Sequence, residues 1–109
     1  MRKEFDNELN KLTVDLTKMA HLVETAIENM IDAFKNEDKV LAKEIITNDR
    51  LVNDMERTIE SRSFNLILRQ QPIASDLRKV TSALKIVTDL ERIGDHCNNI
   101  AQSVVENNL

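Results

Sequence analysis

Acidic and amide side chains recur at helical spacing in two separate stretches of the sequence. In each stretch the residues stand at positions i, i+4 and i+7, which places them on one face of an α-helix. The rows are Glu91, Asp95 and Asn98 in the later stretch, and Asp49, Asn53 and Glu56, continued by Glu60, in the earlier one. If the two helices are antiparallel neighbours, both rows lie in a shared groove.

The chemistry that such rows favour is cation binding. Carboxylate and amide oxygens suit hard cations, and they also suit iron or zinc when a His or water completes the ligands. Like charges four residues apart on a helix repel by a few tenths of a kcal/mol, so a bound cation would relieve the crowding. We therefore interpret Glu91, Asp95, Asp49, Asn53 and Glu56 as candidate metal ligands.

An alternative interpretation is a solvated face on which acids pair with basic residues, the ordinary product of charge patterning on long helices. Three basic residues stand at suitable spacing. The possible pairs are Arg92 with Asp89 or Asp95, Arg57 with Asp54 or Glu60, and Lys85 with Asp89. Spacing alone leaves both interpretations open.

Enzyme chemistry has little support in this sequence. There is no glycine-rich phosphate loop, no Ser or Cys nucleophile in a recognisable arrangement with a base, and no His or Cys pair at structural zinc spacing. We therefore predict a protein that is not an enzyme and has no catalytic residues. Cys97 falls on an apolar stripe and is predicted to be a small buried residue. Gly94, the one glycine, is either a tolerated defect within the helix or, in the interpretation we favour, a sign of close approach by a neighbouring helix or of room for a group bound beside Glu91 and Asp95.

Three long helices must position these residues. A heptad seam from Phe5 to Ala33 predicts the first helix over residues 3–35, and Asp38 is placed to cap a second helix over 39–69. Pro72 then interrupts the chain, and a third helix is predicted over 74–107. This third helix has two apolar stripes, which predicts contact with both other helices. One stripe is Leu77, Val80, Leu84 and Val87, and the other is Ala83, Ile86, Leu90, Ile93, Cys97, Ile100 and Val104.

The short connections predict an all-α, antiparallel three-helix bundle, with residues 1–109 as a single domain. The net charge of −4 argues against nucleic-acid binding. The N-terminus lacks the apolar region of a signal peptide, and no apolar run approaches the roughly 20 residues of a membrane span. With one cysteine and hence no internal disulfide, these features predict a cytoplasmic location.

Two linked motifs resemble those of the PhoU family. They are Pro72-Ile73-Ala74-Ser75-Asp76-Leu77-Arg78 at the start of the third helix, and Asp89-Leu90-Glu91-Arg92-Ile93-Gly94-Asp95-His96 at its centre. The second-helix row of Asp49, Asn53 and Glu56 resembles the pattern of that family as well. The resemblance covers essentially the whole chain and is to a single PhoU repeat, similar to the N-terminal half of the usual two-repeat protein.

The resemblance implies a cytoplasmic negative regulator of phosphate uptake and phosphate signalling. Such a regulator contacts the phosphate ABC transporter and its sensor histidine kinase, is not a catalyst, and lies at the membrane only through these partners. It also implies a multinuclear iron or zinc cluster held by Glu/Asp-x-x-x-Asp motifs. Glu91 and Asp95 match that motif, whereas Asp49 is followed at i+4 by the amide of Asn53. A single repeat implies either part of a longer protein or a homodimer. The alternatives are a metal-binding accessory protein and a purely structural bundle.

Overall fold

The computed structural model describes residues 2–106. Three helices follow one another in the chain: α1 (Arg2–Asn36), α2 (Lys39–Gln70) and α3 (Ala74–Glu106). Each helix contacts the other two, and the short connections make sequential helices antiparallel. The predicted all-α three-helix bundle is therefore confirmed. The predicted ends lie within one residue of these bounds, except the end of the third helix at residue 107, which lies outside the described residues.

The connection between α1 and α2 satisfies the polar groups of both helix ends. Glu37 has a φ of 50°, a left-handed conformation that commonly ends a helix. The next N–H group, that of Asp38, donates to the carbonyl oxygen of Ala33 at 3.0 Å. The Asp38 carboxylate in turn accepts a hydrogen bond from the Leu41 N–H group at 3.0 Å. Asp38 is therefore the N-cap of α2, as the sequence predicts.

The connection between α2 and α3 turns at a second left-handed residue. Gln71 has a φ of 45°, and its N–H group donates to the carbonyl oxygen of Ile67 at 3.0 Å. Pro72 follows and cannot continue the helical ladder, because it has no N–H group to donate. The carboxylate of Asp76, in the first turn of α3, forms an ion pair with Arg2. This pair holds the start of α1 against the start of α3.

The core follows the heptad seams through the length of the bundle, whose principal extents are 54 × 17 × 17 Å. Its buried members are aliphatic or small, with Phe5 the one aromatic among them, and Ser63 is the buried polar residue of the described chain. The Ser63 hydroxyl donates to the carbonyl oxygen of Ile59 at 2.8 Å, so its polarity is satisfied within α2. Small side chains let the helices approach one another closely. The remaining buried residues are Leu12, Met19, Val23, Ala33, Ala42, Ile45, Val52, Ile59, Leu66, Val80, Ala83, Val87, Gly94, Cys97, Ala101 and Val104.

α2 and α3 approach each other closely where Gly94 faces Val52. A Cβ atom added at Gly94 would lie 3.3 Å from Cγ1 of Val52 and 3.5 Å from Oδ1 of Asp49. Of the explanations that the sequence offers for this glycine, close approach by a neighbouring helix is therefore confirmed. The contact places the Asp49 carboxylate directly against the backbone of α3.

The apolar stripes of α3 are not covered along their whole width. The predicted contact with two neighbours is confirmed, since α3 packs against both α1 and α2. Ile86 and Ile93 nevertheless remain 47% and 39% exposed. Each precedes a fully buried position, Val87 or Gly94, by one residue, which rotates it about 100° from the centre of the contact. The outer edge of the second stripe therefore faces away from the core.

The contact at Gly94 predicts that the effect of Gly94→Ala on the free energy of unfolding depends strongly on the side chain of Val52. Ala gains about 1 kcal/mol of helix propensity over Gly. Val52 is 3% exposed and β-branched, so it cannot easily turn away, and overpacking costs about 1–3 kcal/mol. We expect Gly94→Ala to lower the free energy of unfolding by about 1 kcal/mol in the natural background. In a Val52→Ala background, we expect it to raise that free energy by about 1 kcal/mol.

Urea denaturation followed by circular dichroism measures both values as a double-mutant cycle. Ser82→Ala, at an exposed position of α3, is the control for helix propensity alone. Equal effects of Gly94→Ala in the two backgrounds would show that the side chain of Val52 does not limit this contact.

Candidate functional site

The two predicted polar rows meet in one groove between α2 and α3, which we call the acidic groove. α2 contributes Asp49, Asn53, Glu56 and Glu60, and α3 contributes Glu91, Asp95 and Asn98. All are half-buried except Asp95, which is exposed. The antiparallel course of the two helices about the Gly94 contact brings the rows face to face. The sequence-based expectation of a shared groove agrees with this arrangement.

Glu91 has the most perturbed carboxyl group of the groove. Burial is the largest cause, and it raises the pKa of Glu91 to about 7 together with a hydrogen bond to Asp95 and the negative charges of Asp95, Glu56 and Asp49. A carboxyl group in such surroundings favours its neutral form, because ionisation would place another negative charge among existing ones. Charges from α2 act on this residue of α3, so the two rows interact electrostatically.

The carboxyl groups of α2 respond in the same direction. Burial raises the pKa of Asp49, the charge of Asp95 adds to the rise, and a hydrogen bond from Asn53 opposes it. Burial also raises the pKa of Glu56, with contributions from the charges of Glu60 and Asp95, against the opposing charge of Arg57. The groove therefore concentrates negative charge that its own amide and basic neighbours offset only in part.

Two of the three predicted basic residues form their ion pairs, both at the margins of the groove, whereas the predicted pairing of Arg92 with Asp89 or Asp95 is wrong. Arg57 lies 3.3 Å from Asp54, and Lys85 lies 3.3 Å from Asp89, both at exposed positions. Within residues 2–106, Arg92 forms no ion pair, and no basic nitrogen lies within 4.0 Å of the carboxylates of Asp49, Glu56, Glu91 or Asp95. The solvated, salt-bridged face is thus present outside the groove, and the groove itself lacks compensating cations.

One amide of the groove also lacks a hydrogen-bond partner. The Oδ1 atom of Asn98 is buried and accepts no hydrogen bond from the described residues. Carboxylate oxygens and an unpaired amide oxygen are the donors that hard cations prefer. In the described part of the chain, however, no three Asp, Glu, His or Cys side chains converge on one point as metal ligands. The donor chemistry fits a metal, and binding one would require these side chains to change rotamer.

Sequence reasoning missed a small cavity on the other side of Asp49. It has a volume of about 80 Å³ and lies between α1 and α2, beneath the Gly94 contact. Thr25, Asn29 and Asn48 provide its polar lining. Thr25 and Asn29 stand at i and i+4 on α1, so their common face was visible in the sequence. The sequence did not show that this face of α1 lies close to Asp49, because the distance between them depends on the register between α1 and α2.

Cys97 occupies the position that its apolar stripe predicts. The side chain is 2% exposed. Burial and the charge of Asp49 raise the pKa of its thiol, which keeps it protonated and unreactive as a nucleophile. The prediction of a small buried residue is therefore confirmed.

Comparison with known proteins decides the family. A family model described as the PhoU domain matches residues 16–104. The chain belongs to the PhoU family. The match extends through all three helices and includes both rows of the acidic groove. The family that the two motifs of α3 indicate is thereby confirmed, and with it the assignment of this PhoU domain to the helical bundles.

Relatives of this PhoU domain are known from several bacteria. A phosphate-specific transport system accessory protein PhoU homolog of Clostridium acetobutylicum is 40% identical over 104 residues, which cover 94% of this chain and 48% of the relative. The PhoU accessory protein of Serratia marcescens is 38% identical over 103 residues, covering 94% and 42%. A homolog from Thermotoga maritima is 35% identical over 98 residues, covering 90% and 42%. The chain spans somewhat less than half the length of these relatives.

The names of these relatives describe accessory proteins of phosphate-specific transport. Among residues 2–106, none of the three helices has the length and apolarity that crossing a membrane requires.

The raised pKa of Glu91 predicts a pH dependence of stability in chelator-treated protein. The folded state retains the Glu91 proton up to a pH of about 7, whereas an unfolded Glu releases it near pH 4.3. Between these values the folded state binds more protons, so the free energy of unfolding falls as pH rises. We expect Glu91→Gln to flatten this part of the profile and to stabilise the protein above pH 7.

Urea denaturation at half-unit pH intervals between 4 and 8 measures the profile. Glu24→Gln, the same change at an exposed position of α1, is the matched control. A Glu91→Gln profile with the slope of the natural protein would contradict the assigned surroundings of Glu91.

Proposed function

We propose that this PhoU domain acts in a cytoplasmic negative regulator of phosphate uptake and phosphate signalling. The regulator works by protein–protein contact with the phosphate ABC transporter and its sensor histidine kinase, and it functions as a homodimer. The observation that carries the proposal is the family match over residues 16–104. The accessory-protein names of the relatives support a role in phosphate transport.

The acidic groove is the proposed metal-binding part of this regulator. Glu91 and Asp95 from α3, with Asp49, Asn53 and Glu56 from α2, would hold an iron or zinc cluster. Three observations support this assignment: the pKa of Glu91 is raised to about 7, the groove carboxylates lack basic partners, and Oδ1 of Asn98 lacks a donor. A bound metal would neutralise the crowded carboxylates and link α2 to α3.

A purely structural bundle is the competing possibility. The exposed pairs of Arg57 with Asp54 and Lys85 with Asp89 favour it, because they show that acids on these helices also serve as ordinary surface charges. In that case the groove acids would only keep the protein soluble. The two possibilities differ in what happens when Glu91 and Asp95 are both removed.

The regulatory function predicts loss of phosphate repression when the groove is altered. We expect the full protein to co-purify with the ATPase subunit of the phosphate transporter. In phosphate-replete cells, we expect Glu91→Ala with Asp95→Ala to raise phosphate-starvation reporter expression towards the level of a deletion strain. The control is Asp54→Ala with Arg57→Ala, which removes an ion pair at the margin of the groove.

Absence of the transporter subunit from the natural protein's pull-down would argue against the regulatory function. Full repression by the doubly substituted protein would instead favour the structural bundle.

The metal assignment predicts bound iron or zinc in protein purified without a chelator or an affinity tag. Elemental analysis should detect it, and we expect Glu91→Ala with Asp95→Ala to remove at least half of it, because both carboxylates are proposed ligands. The matched control is Glu24→Ala with Glu28→Ala, an exposed acid pair of the same spacing on α1. Equal metal content in the natural protein, the Glu91 and Asp95 variant and the control variant would contradict the metal assignment.

A further inference from the structure

The outer face of α2, opposite its buried residues, has unbalanced positive charge in a chain that is negative overall. Lys39, Lys43 and Arg50 stand there at i, i+4 and i+11, which places them on one side of the helix, and all three are exposed. Within residues 2–106 none of the three forms an ion pair. Because the whole chain has a net charge of −4, these free cations make the outer face of α2 electrostatically distinct from the rest of the molecule.

The cations of this face are kept apart from the acidic groove. Asp49 and Glu56 each precede an arginine of the outer face by one residue, and that step turns them about 100° towards α3. Arg57 continues the line of cations, but it pairs with Asp54 at 3.3 Å and so adds no net charge. The outer face therefore attracts anions even though the neighbouring groove attracts cations.

Apolar side chains occupy the other end of the same face. Phe64 stands seven residues after Arg57 and is 54% exposed, and Leu68, one turn further on, is 73% exposed. Ile73, in the connection that follows α2, is 78% exposed at the same end of the bundle. Single exposed apolar residues are normal, but an aromatic and two aliphatic side chains close together mark an interaction site.

The order of these residues along the face fits a lipid surface better than a protein. Protein interfaces have an apolar centre that is depleted of charge and a polar rim around it. Here the centre of the face is polar, with Thr47, Arg50, Arg57 and Ser61, and the apolar side chains lie at one end. A bilayer offers anionic headgroups and apolar chains at every point of its surface, so basic and apolar residues can bind it separately.

We propose that the outer face of α2 binds the surface of a membrane that contains anionic phospholipids. Lys39, Lys43 and Arg50 contact the headgroup phosphates, while Phe64 and Leu68 enter the interfacial layer. The helical rise separates Lys39 from Leu68 by about 44 Å, within the 54 Å length of the bundle, and the packed core holds both ends in one line. The inference goes beyond the proposed function and does not depend on it, because it adds a direct contact with lipid to the contacts with protein partners.

Co-sedimentation of the full 109-residue chain with sucrose-loaded vesicles tests the electrostatic part. We expect binding to phosphatidylcholine vesicles that contain about one-third phosphatidylglycerol, at about 0.1 M salt, and none to phosphatidylcholine alone. Each cation near an anionic surface strengthens binding about fivefold, so we expect Lys43→Glu with Arg50→Glu to weaken it at least about 20-fold. The matched control is Arg78→Glu with Arg92→Glu, which makes the same change of charge at exposed positions of α3. For it we expect a loss of at most about threefold.

Fluorescence tests whether the apolar end of the face enters the lipid. The chain has no Trp, so Phe64→Trp introduces a single probe. We expect its emission to shift to the blue with phosphatidylglycerol vesicles and to be quenched by brominated lipid chains. Phe34→Trp, at a position of α1 that is 51% exposed, is the matched control and should show neither change. Circular dichroism confirms that each variant keeps its helices.

Failure of any of these measurements would overturn the proposal in a recognisable way. A natural chain that leaves phosphatidylglycerol vesicles unbound would exclude lipid as the partner. If Lys43→Glu with Arg50→Glu then prevented co-purification of the transporter subunit, the face would bind an acidic protein surface instead. Equal weakening by the α2 and α3 variants would show that net charge, and not this face, governs binding. Unshifted emission of Phe64→Trp in bound protein would exclude entry of the apolar end into lipid. Phosphate repression by the groove variants tests the regulatory function separately.

Discussion

The contact between Gly94 and Val52 sets the geometry on which the acidic groove depends. A side chain at position 94 would meet Val52 at 3.3 Å, so the two helix backbones lie closer there than a pair with ordinary side chains. Residues beside the contact are brought near one another across the gap, which is why Asp49 influences the titration of Glu91. A wider separation would leave the same acids as two independent, well-solvated rows, with correspondingly weaker repulsion between them.

The position of the groove on the bundle reflects a compromise between stability and binding chemistry. Half-burial of carboxylates without basic partners costs stability, whereas apolar residues at the same places would extend the core. The heptad seam continues beneath the groove through Val52, Ile59, Val87 and Cys97, all buried. The hydrophobic seam therefore holds α2 and α3 together while the polar rows above it stay close. A site of this kind is kept in place by the core rather than by its own interactions.

Much of this arrangement could be read from the sequence, because each part of it follows from helical periodicity. The seam from Phe5 to Ala33, the Asp38 cap and the break at Pro72 were sufficient for the helices and their order. The i, i+4, i+7 spacing was sufficient to place the acids and amides on common faces. Periodicity gives the direction in which a residue points, but not how far a neighbouring helix extends over it. The exposure of Ile86 and Ile93, the cavity beside Asp49 and the rotamers of the groove acids could not be predicted for that reason.

The two connections between the helices have a consequence for how the chain reaches its structure. They consist of residues 37–38 and 71–73, so each pair of consecutive helices forms a hairpin whose contacts are local in sequence. Topologies of this kind fold quickly, because little loop entropy is lost before apolar contacts form. During synthesis, α1 and α2 can pair as soon as both have left the ribosome, and α3 then completes the core. A domain built in this way can reach its native packing while any chain that follows it is still being synthesised.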